Sequence, residues 1–265
     1  MQRTHQKARL TLRQRLFSDQ SIVGTMVQLN CCEVVEMAGV AGYDYVVLDA
    51  EHGALDVGAL THLIRAADAV GIAAVVRVPD CSAAFIQRVL DAGADGILVP
   101  RVRDPQRLAE AIRSAHFAPW GDRGSCSTSR AAGHWTSQWA AHVKSEAANP
   151  LVWALVEDPQ GMTQINEIAS TPGLDALVFG AFDLAQCLGV AGEVSHSRVK
   201  ENFDAILTSA REHKLELVSI IGAEPEGAAG AARRGARILL DGFDSQIISS
   251  AYQERLRNLR EALTP

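Results

Sequence analysis

What most constrains this chain is a repeated pattern rather than a repeated sequence. From residue 21 onward, short β-branched runs alternate with amphipathic helical stretches, and eight such pairs follow one another. The strand-like runs read SIVGTMVQL, YDYVVLDA, IAAVVRVP, GILVPRV, LVWALVE, ALVFGAFD, LELVSII and RILLDG. Between them lie helical patterns such as GALTHLIRAADAVG, SAAFIQRVLDAG, PQRLAEAIRSAHF, MTQINEIAS and VKENFDAILTSAREH, several closed by a glycine suited to a left-handed C-cap. The last helical pattern is IISSAYQERLRNLREAL.

Strands that are apolar throughout are covered on both faces, and helical crossovers between them make the sheet parallel. Eight such units in about 250 residues predict an α/β fold, a (β/α)8 TIM barrel. A doubly wound open sheet is disfavoured, because no Gly-x-Gly-x-x-Gly follows the first strand and the units are short and alike in length. LTLRQRLF, ahead of the first strand, is expected to add an N-terminal helix across the barrel's N-terminal mouth. No linker or low-complexity stretch divides the chain, so residues 1–265 are expected to form a single (β/α)8 domain.

Composition narrows the function classes. A net charge of -6 and no basic stripe argue against nucleic acid as a partner. The start of the chain has no apolar core of signal-peptide length, and no apolar run approaches the ~20 residues needed to cross a bilayer. Five cysteines (Cys31, Cys32, Cys81, Cys126 and Cys187) form an odd set without CxxC spacing, which suits a reducing compartment. A cytoplasmic protein with no membrane partner is the expectation.

In a barrel of this kind the C-terminal ends of the strands build the site. Those ends carry Gln28 and Asn30, then Asp49, Glu51 and His52, then Arg77, Pro100 and Arg101, Glu157 and Asp158, Asp183, and Asp241. An isolated acidic turn such as LDAEHGALD is more often simply the polar end of a strand. Two acids on neighbouring strands, Glu157 and Asp183, are different, because like charges held together repel unless a proton or a cation lies between them. Oxygen ligands with water in the remaining positions suit Mg²⁺ or Mn²⁺, with Co²⁺ as an alternative. Arg77 either bridges to Asp49 or Glu157 as a structural pair or awaits a substrate carboxylate or enolate oxygen.

Lysine usage bears on the chemistry. None of Lys7, Lys144, Lys200 and Lys214 falls at a strand's C-terminal end, which disfavours a Schiff base. The loops after strands seven and eight, GAEPEG and DGFDS, are acidic where barrel phosphate sites are not, so an unphosphorylated acid is the expected substrate. One loop stands out by length, nearly fifty residues between the fourth and fifth strands including APWGDRGSCSTSRAAGHW, and is expected either to cover the site or to be an irregular surface excursion.

The segments GYDYVVLDAEHG, VVRVP, VLDAGADGILVPRV, PWGDRG with a downstream SRAAGHW, VEDPQG and GLDALVFGAFDLAQCLG resemble, in that order, the HpcH/HpaI aldolase and citrate lyase family of metal-dependent pyruvate aldolases, over about residues 20 to 245. The resemblance implies reversible aldol cleavage of a 4-hydroxy-2-oxo acid to pyruvate, or a related 2-oxo acid, and an aldehyde, through an enolate held by a divalent metal on Glu157 and Asp183. It implies that Arg77 stabilises the enolate oxygen and that His52, oriented by Asp49, moves protons. Substrate contacts are then expected from Arg77, Gln28, Gly180, Phe182 and Ser127, with no organic cofactor, in a homo-oligomer, a hexamer of paired subunits exchanging a C-terminal helix.

Phe182 stands where the family usually has a small residue before the metal-binding Asp, and Leu155 stands where many members carry Gln. These departures leave open a citrate- or malate-synthase-like condensation of acetyl-CoA with a 2-oxo acid on the same metal site. Two unrelated readings stand beside them: Cys126 as a nucleophile with His134 as its base, and a non-catalytic binding barrel.

Overall fold

The computed structural model describes residues 12–16, 21–146, 150–221 and 227–263. Eight strands, β1 (Ile22–Val27), β2 (Tyr45–Asp49), β3 (Ala73–Arg77), β4 (Gly96–Val99), β5 (Leu151–Val156), β6 (Ala176–Phe179), β7 (Glu216–Ile220) and β8 (Ile238–Phe243), close into a barrel in chain order. Every neighbouring pair is parallel, including β1 with β8. The helices are α1 (Leu12–Leu16), α2 (Cys32–Ala41), α3 (Val57–Val70), α4 (Ala83–Asp91), α5 (Pro105–Ala115), α6 (Trp139–Glu146), α7 (Pro159–Thr163), α8 (Ile165–Ala169), α9 (Ala181–Cys187), α10 (Ser197–Glu212), α11 (Gly227–Arg233) and α12 (Asp244–Ala262). The (β/α)8 barrel expected from the alternating runs is the fold.

Two hydrophobic layers follow from the period-two geometry of a strand. Inward residues such as Met26, Tyr45, Val75, Leu98, Trp153, Val178 and Leu240 fill the lumen, where the Tyr45 and Trp153 rings meet edge to face. Outward residues such as Val46, Leu48, Val76, Ile97, Val152, Val156 and Leu177 pack under the helices. Gly24 belongs to this arrangement, because a Cβ there would collide with the Tyr45 ring.

The expected N-terminal helix is present as α1. Leu12 is buried in the lumen layer, Arg13 bonds Asp175 just ahead of β6 at 2.9 Å, and Arg15 pairs with Asp44 just ahead of β2. Both partners precede their strands, so α1 sits at the barrel's N-terminal mouth. Helix caps follow the sequence chemistry: Asp56, Ser82 and Asp104 each accept a backbone N–H at the start of α3, α4 and α5. MTQINEIAS is broken into α7 and α8 at Gln164 rather than forming one helix.

The last helix is almost wholly exposed. Only Asp244 of α12 is buried, and Tyr252, Leu256, Leu259 and Leu263 all point into solvent. Asp244 accepts the Gln28 and Leu29 amides at 3.1 and 3.0 Å, so the start of α12 is clamped to the end of β1 while the rest of the helix projects away. Among the described residues, no helix is long and apolar enough to cross a membrane.

Candidate active site

The strand alternation that fills the lumen also chooses the site residues. Along β2 the inward row is Tyr45, Val47 and Asp49, and along β3 it is Ala73, Val75 and Arg77. Leu151, Trp153 and Leu155 on β5 lead to Glu157 one step beyond it, and Met26 on β1 leads to Gln28. Each inward apolar row thus ends in a polar side chain at the C-terminal rim. Of these row ends, Gln28, Arg77 and Glu157 line a cavity of about 580 Å³ together with His52, Leu98, Gly180, Phe182 and Asp183, while Asp49 is buried behind Arg77.

The same parity removes two sequence candidates. Asp158, one residue past Glu157, faces outward, where it caps α7 through the Gly161 N–H at 2.8 Å and pairs with Arg103. Asp241 on β8 accepts the Tyr43 hydroxyl at 2.6 Å and does not line the cavity. Both are structural groups in this chain.

Asp183 reaches the site by another route. The run ALVFGAFD is not one strand, since β6 stops at Phe179 and Asp183 lies in the first turn of α9. Gly180 makes that turn fit: a Cβ there would overlap the Glu157 Cβ and come within 2.8 Å of Glu157 Oε2. Glu157 is nearly fully buried, and the Arg101 backbone N–H donates to its Oε1 at 3.0 Å. Burial first, then the Asp183 and Glu51 charges, push its carboxyl up to about 7, against the opposing pull of that N–H and of Arg77.

Asp49 is fully buried and has the opposite surroundings. Arg77 grips it with two bonds, Nε to Oδ1 at 2.7 Å and Nη2 to Oδ2 at 2.6 Å, and the Gln28 amide donates to Oδ2 at 2.8 Å. Burial opposes its charge, but the Arg77 bonds and charge outweigh it and hold the carboxyl below the usual carboxylate range. The expected orientation of the His52 ring by the Asp49 carboxylate is not formed. Asp49 Oδ1 instead accepts the backbone N–H groups of Glu51 and His52, at 3.1 and 3.2 Å, while both of its oxygens are already engaged by Arg77 and Gln28 from the two neighbouring strands.

The acid beside the His52 ring is Glu51, whose Oε2 lies 3.8 Å from Nε2. Glu51 Oε1 is 3.1 Å from Arg101 Nε, and Oε2 is 3.4 Å from Arg77 Nη1 yet makes no hydrogen bond. Arg101 holds a positive φ of 49°, a strained backbone for a non-glycine residue, at the point where its N–H meets Glu157. From the sequence Glu51 is expected to position His52 or to meet a metal's water shell, and Arg101 has only its place at a strand end. Their place at strand ends was the available signal, but a long side chain bridging two loops is not written in any spacing.

Ser127 is not brought to this cavity. It lies in the long loop after β4, where its carbonyl accepts the Thr136 N–H at 3.0 Å. Arg130 ties that loop to the Ala92 carbonyl at 2.8 Å and to Asp68, near the C-terminal ends of α4 and α3 and so at the opposite end of the barrel from the strand ends. Cys126 shares the loop, with its sulfur 3.3 Å from the Thr128 hydroxyl, and it too is absent from the cavity wall. Phe182 does line the cavity, at its rim, where it is 67% exposed rather than closing the floor.

The donor set suits a hard divalent cation. Among the described residues, no three His, Cys, Asp or Glu side chains gather as a metal cluster. Two carboxylates therefore leave most positions to water and ligand oxygens, as Mg²⁺-like ions prefer. Burial first and then the Asp183 charge raise the Glu157 carboxyl, and a cation between the two acids would offset both.

Residues 23–251 match the model of the HpcH/HpaI aldolase/citrate lyase family. A hydroxypyruvate/pyruvate aldolase of Paraburkholderia phytofirmans is 32% identical over 75% of this chain and 78% of its own length. A 5-keto-4-deoxy-D-glucarate aldolase of Klebsiella pneumoniae is 31% identical over 88% of this chain and 93% of its own. The crystal structure of an HpcH/HpaI aldolase from Desulfitobacterium hafniense superposes with a TM-score of 0.90 at 28% identity, covering 95% of this chain and 97% of that one.

Proposed function

Because the chain belongs to the HpcH/HpaI aldolase/citrate lyase family and is thereby a carbon–carbon lyase, we propose that it splits or forms a 4-hydroxy-2-oxo acid, with pyruvate or a related 2-oxo acid and an aldehyde as the other side of the reaction, on a divalent metal. The observation that carries this reading is the Glu157 and Asp183 pair: two acids on one cavity, with the neighbouring Arg77 already committed to Asp49. Glu157 and Asp183 would hold the metal, Mg²⁺ or Mn²⁺ by their chemistry with Co²⁺ as an alternative. Once bound, the metal supplies the positive charge that polarises the 2-oxo acid and lowers the cost of its enolate.

The chain's own residues do the rest. Arg77, pinned by Asp49 with Gln28 behind it, presents a fixed positive charge to oxygen that becomes negative in the transition state. His52, half exposed on the cavity wall beside Glu51, exchanges protons with substrate through water. In the synthetic direction a proton leaves the pyruvate methyl, that carbon bonds to the aldehyde carbonyl carbon, and the aldehyde oxygen takes up a proton. Cleavage runs the same steps backward. Asp49, Gln28 and Glu51 are positioning residues, and Gly180 keeps clear the space that a side chain would take from Glu157.

The whole of residues 1–265 is read as one working unit, placed in a reducing compartment such as the cytoplasm because all five cysteines are free. Helix α12, with Tyr252, Leu256 and Leu259 exposed, suits exchange with a second copy of this chain, in a homo-oligomer that the family resemblance puts at a hexamer.

Chelation tests the reading directly. A 4-hydroxy-2-oxo acid is supplied with and without EDTA, and pyruvate release is followed through a coupled dehydrogenase. Activity lost in EDTA and restored by Mn²⁺ or Mg²⁺ is expected. Full activity in chelator would falsify it, and thiol release from acetyl-CoA with a 2-oxo acid, without aldol cleavage, would replace it by a condensation.

A further inference from the structure

The cavity has two unlike sides. Arg77, His52 and Gln28 come from the β1 to β3 side, and Glu157 and Asp183 from β5 and α9. The side running from β6 round to β8 offers Phe182, Val194, Ile220, Leu240 and Phe243, with Leu155 beneath. Beyond Asp183 at its edge, Gln246 is the one polar side chain among the described lining residues there, and it is uncharged. Residues 180–197 and 241–254, which supply Phe182, Val194, Phe243 and Gln246 to this side, contain no lysine or arginine.

Resting on the aldolase reading, we infer that the aldehyde partner is a neutral one with an alkyl or aryl chain, seated against the β6 to β8 wall. A cavity of about 580 Å³ holds far more than a three-carbon acid, so space remains for a chain of several carbons. A second carboxylate pointed at this wall would shed water against Ile220, Leu240 and Phe243 and meet no cation. A chain of hydroxyls would likewise lose its hydrogen bonds to water, with Gln246 alone to replace them. Methylene groups gain there what polar groups lose. This wall, rather than the metal side, sets acceptor choice.

The test uses the full chain with Mn²⁺, pyruvate and a panel of aldehydes: propanal, butanal, pentanal, benzaldehyde, glyceraldehyde and succinic semialdehyde. Expected is kcat/KM rising roughly threefold per methylene along the alkanals, with pentanal exceeding succinic semialdehyde at least tenfold. Val194→Lys, at a partly exposed loop position, is expected to move the ratio of succinic semialdehyde to pentanal upward by roughly tenfold. The ratio is the readout, so a variant with lower overall activity still reports. Deuterium exchange into the pyruvate methyl in D2O, which needs no aldehyde, separates the two levels of the argument. Exchange together with a preference for succinic semialdehyde or glyceraldehyde overturns the acceptor inference alone. Absence of exchange removes the aldolase reading and this inference with it.

Discussion

Asp49 and Glu157 are two buried carboxylates on one barrel rim, and their surroundings drive them apart. Asp49 ends β2 with an arginine fork and a glutamine amide on its oxygens, so its charge is fully answered from within the chain. Glu157 follows β5 with one backbone N–H and a second acid facing it, and its carboxyl rises to about 7. The difference fits the proposed parts: a carboxylate whose charge is satisfied by protein holds protein in place, and one left in deficit would take a cation.

The sharpest break in this comparison comes from substitution at the deficient side. Glu157→Ala or Asp183→Ala is expected to lower kcat/KM for aldol cleavage by roughly a thousandfold or more, read from steady-state kinetics at saturating Mn²⁺, with the thermal midpoint in chelator unchanged or raised. Arg77→Ala should cost about a hundredfold to a thousandfold, and it also strands Asp49. Asp49→Ala tests the satisfied side from the other end. Leaving Arg77 buried and unpaired should destabilise the fold by about 3–5 kcal/mol in denaturant unfolding, where an exposed pair would show almost nothing.

Acidity separates the two groups without mutation. Glu157 keeps its proton in the fold over a range in which the unfolded chain has lost it, so stability of the chelated protein falls as pH rises from about 4.5 to about 7 and levels off beyond. Asp49 works in reverse: its contribution is present above the ordinary aspartate value and is lost as pH falls below it. Thermal midpoints in EDTA should therefore peak on the acid side of neutrality, and Glu157→Gln should flatten the fall toward pH 7. The smallest effect belongs to Glu51→Gln, a severalfold loss of kcat at most, since Glu51 touches the His52 ring only at 3.8 Å.

Much of this was legible in the sequence for a definite reason. Strands buried on both faces carry polar residues only where they leave the sheet, so Asp49, Arg77 and Glu157 stood out against their apolar runs. Parity could also have set aside Asp158 and Asp241, which fall one step out of phase with the lumen rows of Leu155 and Leu240. Asp183, read as the end of strand six, instead lines the cavity from α9, because a strand followed at once by a helical turn leaves no break in hydrophobicity at Phe179 and Gly180.

What pattern could not supply was the choice of partner between neighbouring strand ends. The choice of Asp49 between the His52 ring and Arg77 depends on the distance between two strand ends, fixed by the register that sets Asp49 opposite Arg77. The long loop after β4 gave its polarity but not its destination. Its anchors, Arg130 to Asp68 and the Ala131 N–H to the Asp91 carbonyl, join residues whose meeting no local spacing announces.

On the proposed reading, Glu157 and Asp183 together hold one divalent cation. Titration of chelator-stripped protein with Mn²⁺, followed by electron paramagnetic resonance of the free ion, tests it without recourse to turnover. One Mn²⁺ per chain is expected for the unaltered protein and for Asp158→Ala, with binding at that site lost in both Glu157→Ala and Asp183→Ala. Undiminished binding of Mn²⁺ by those two variants would contradict the account.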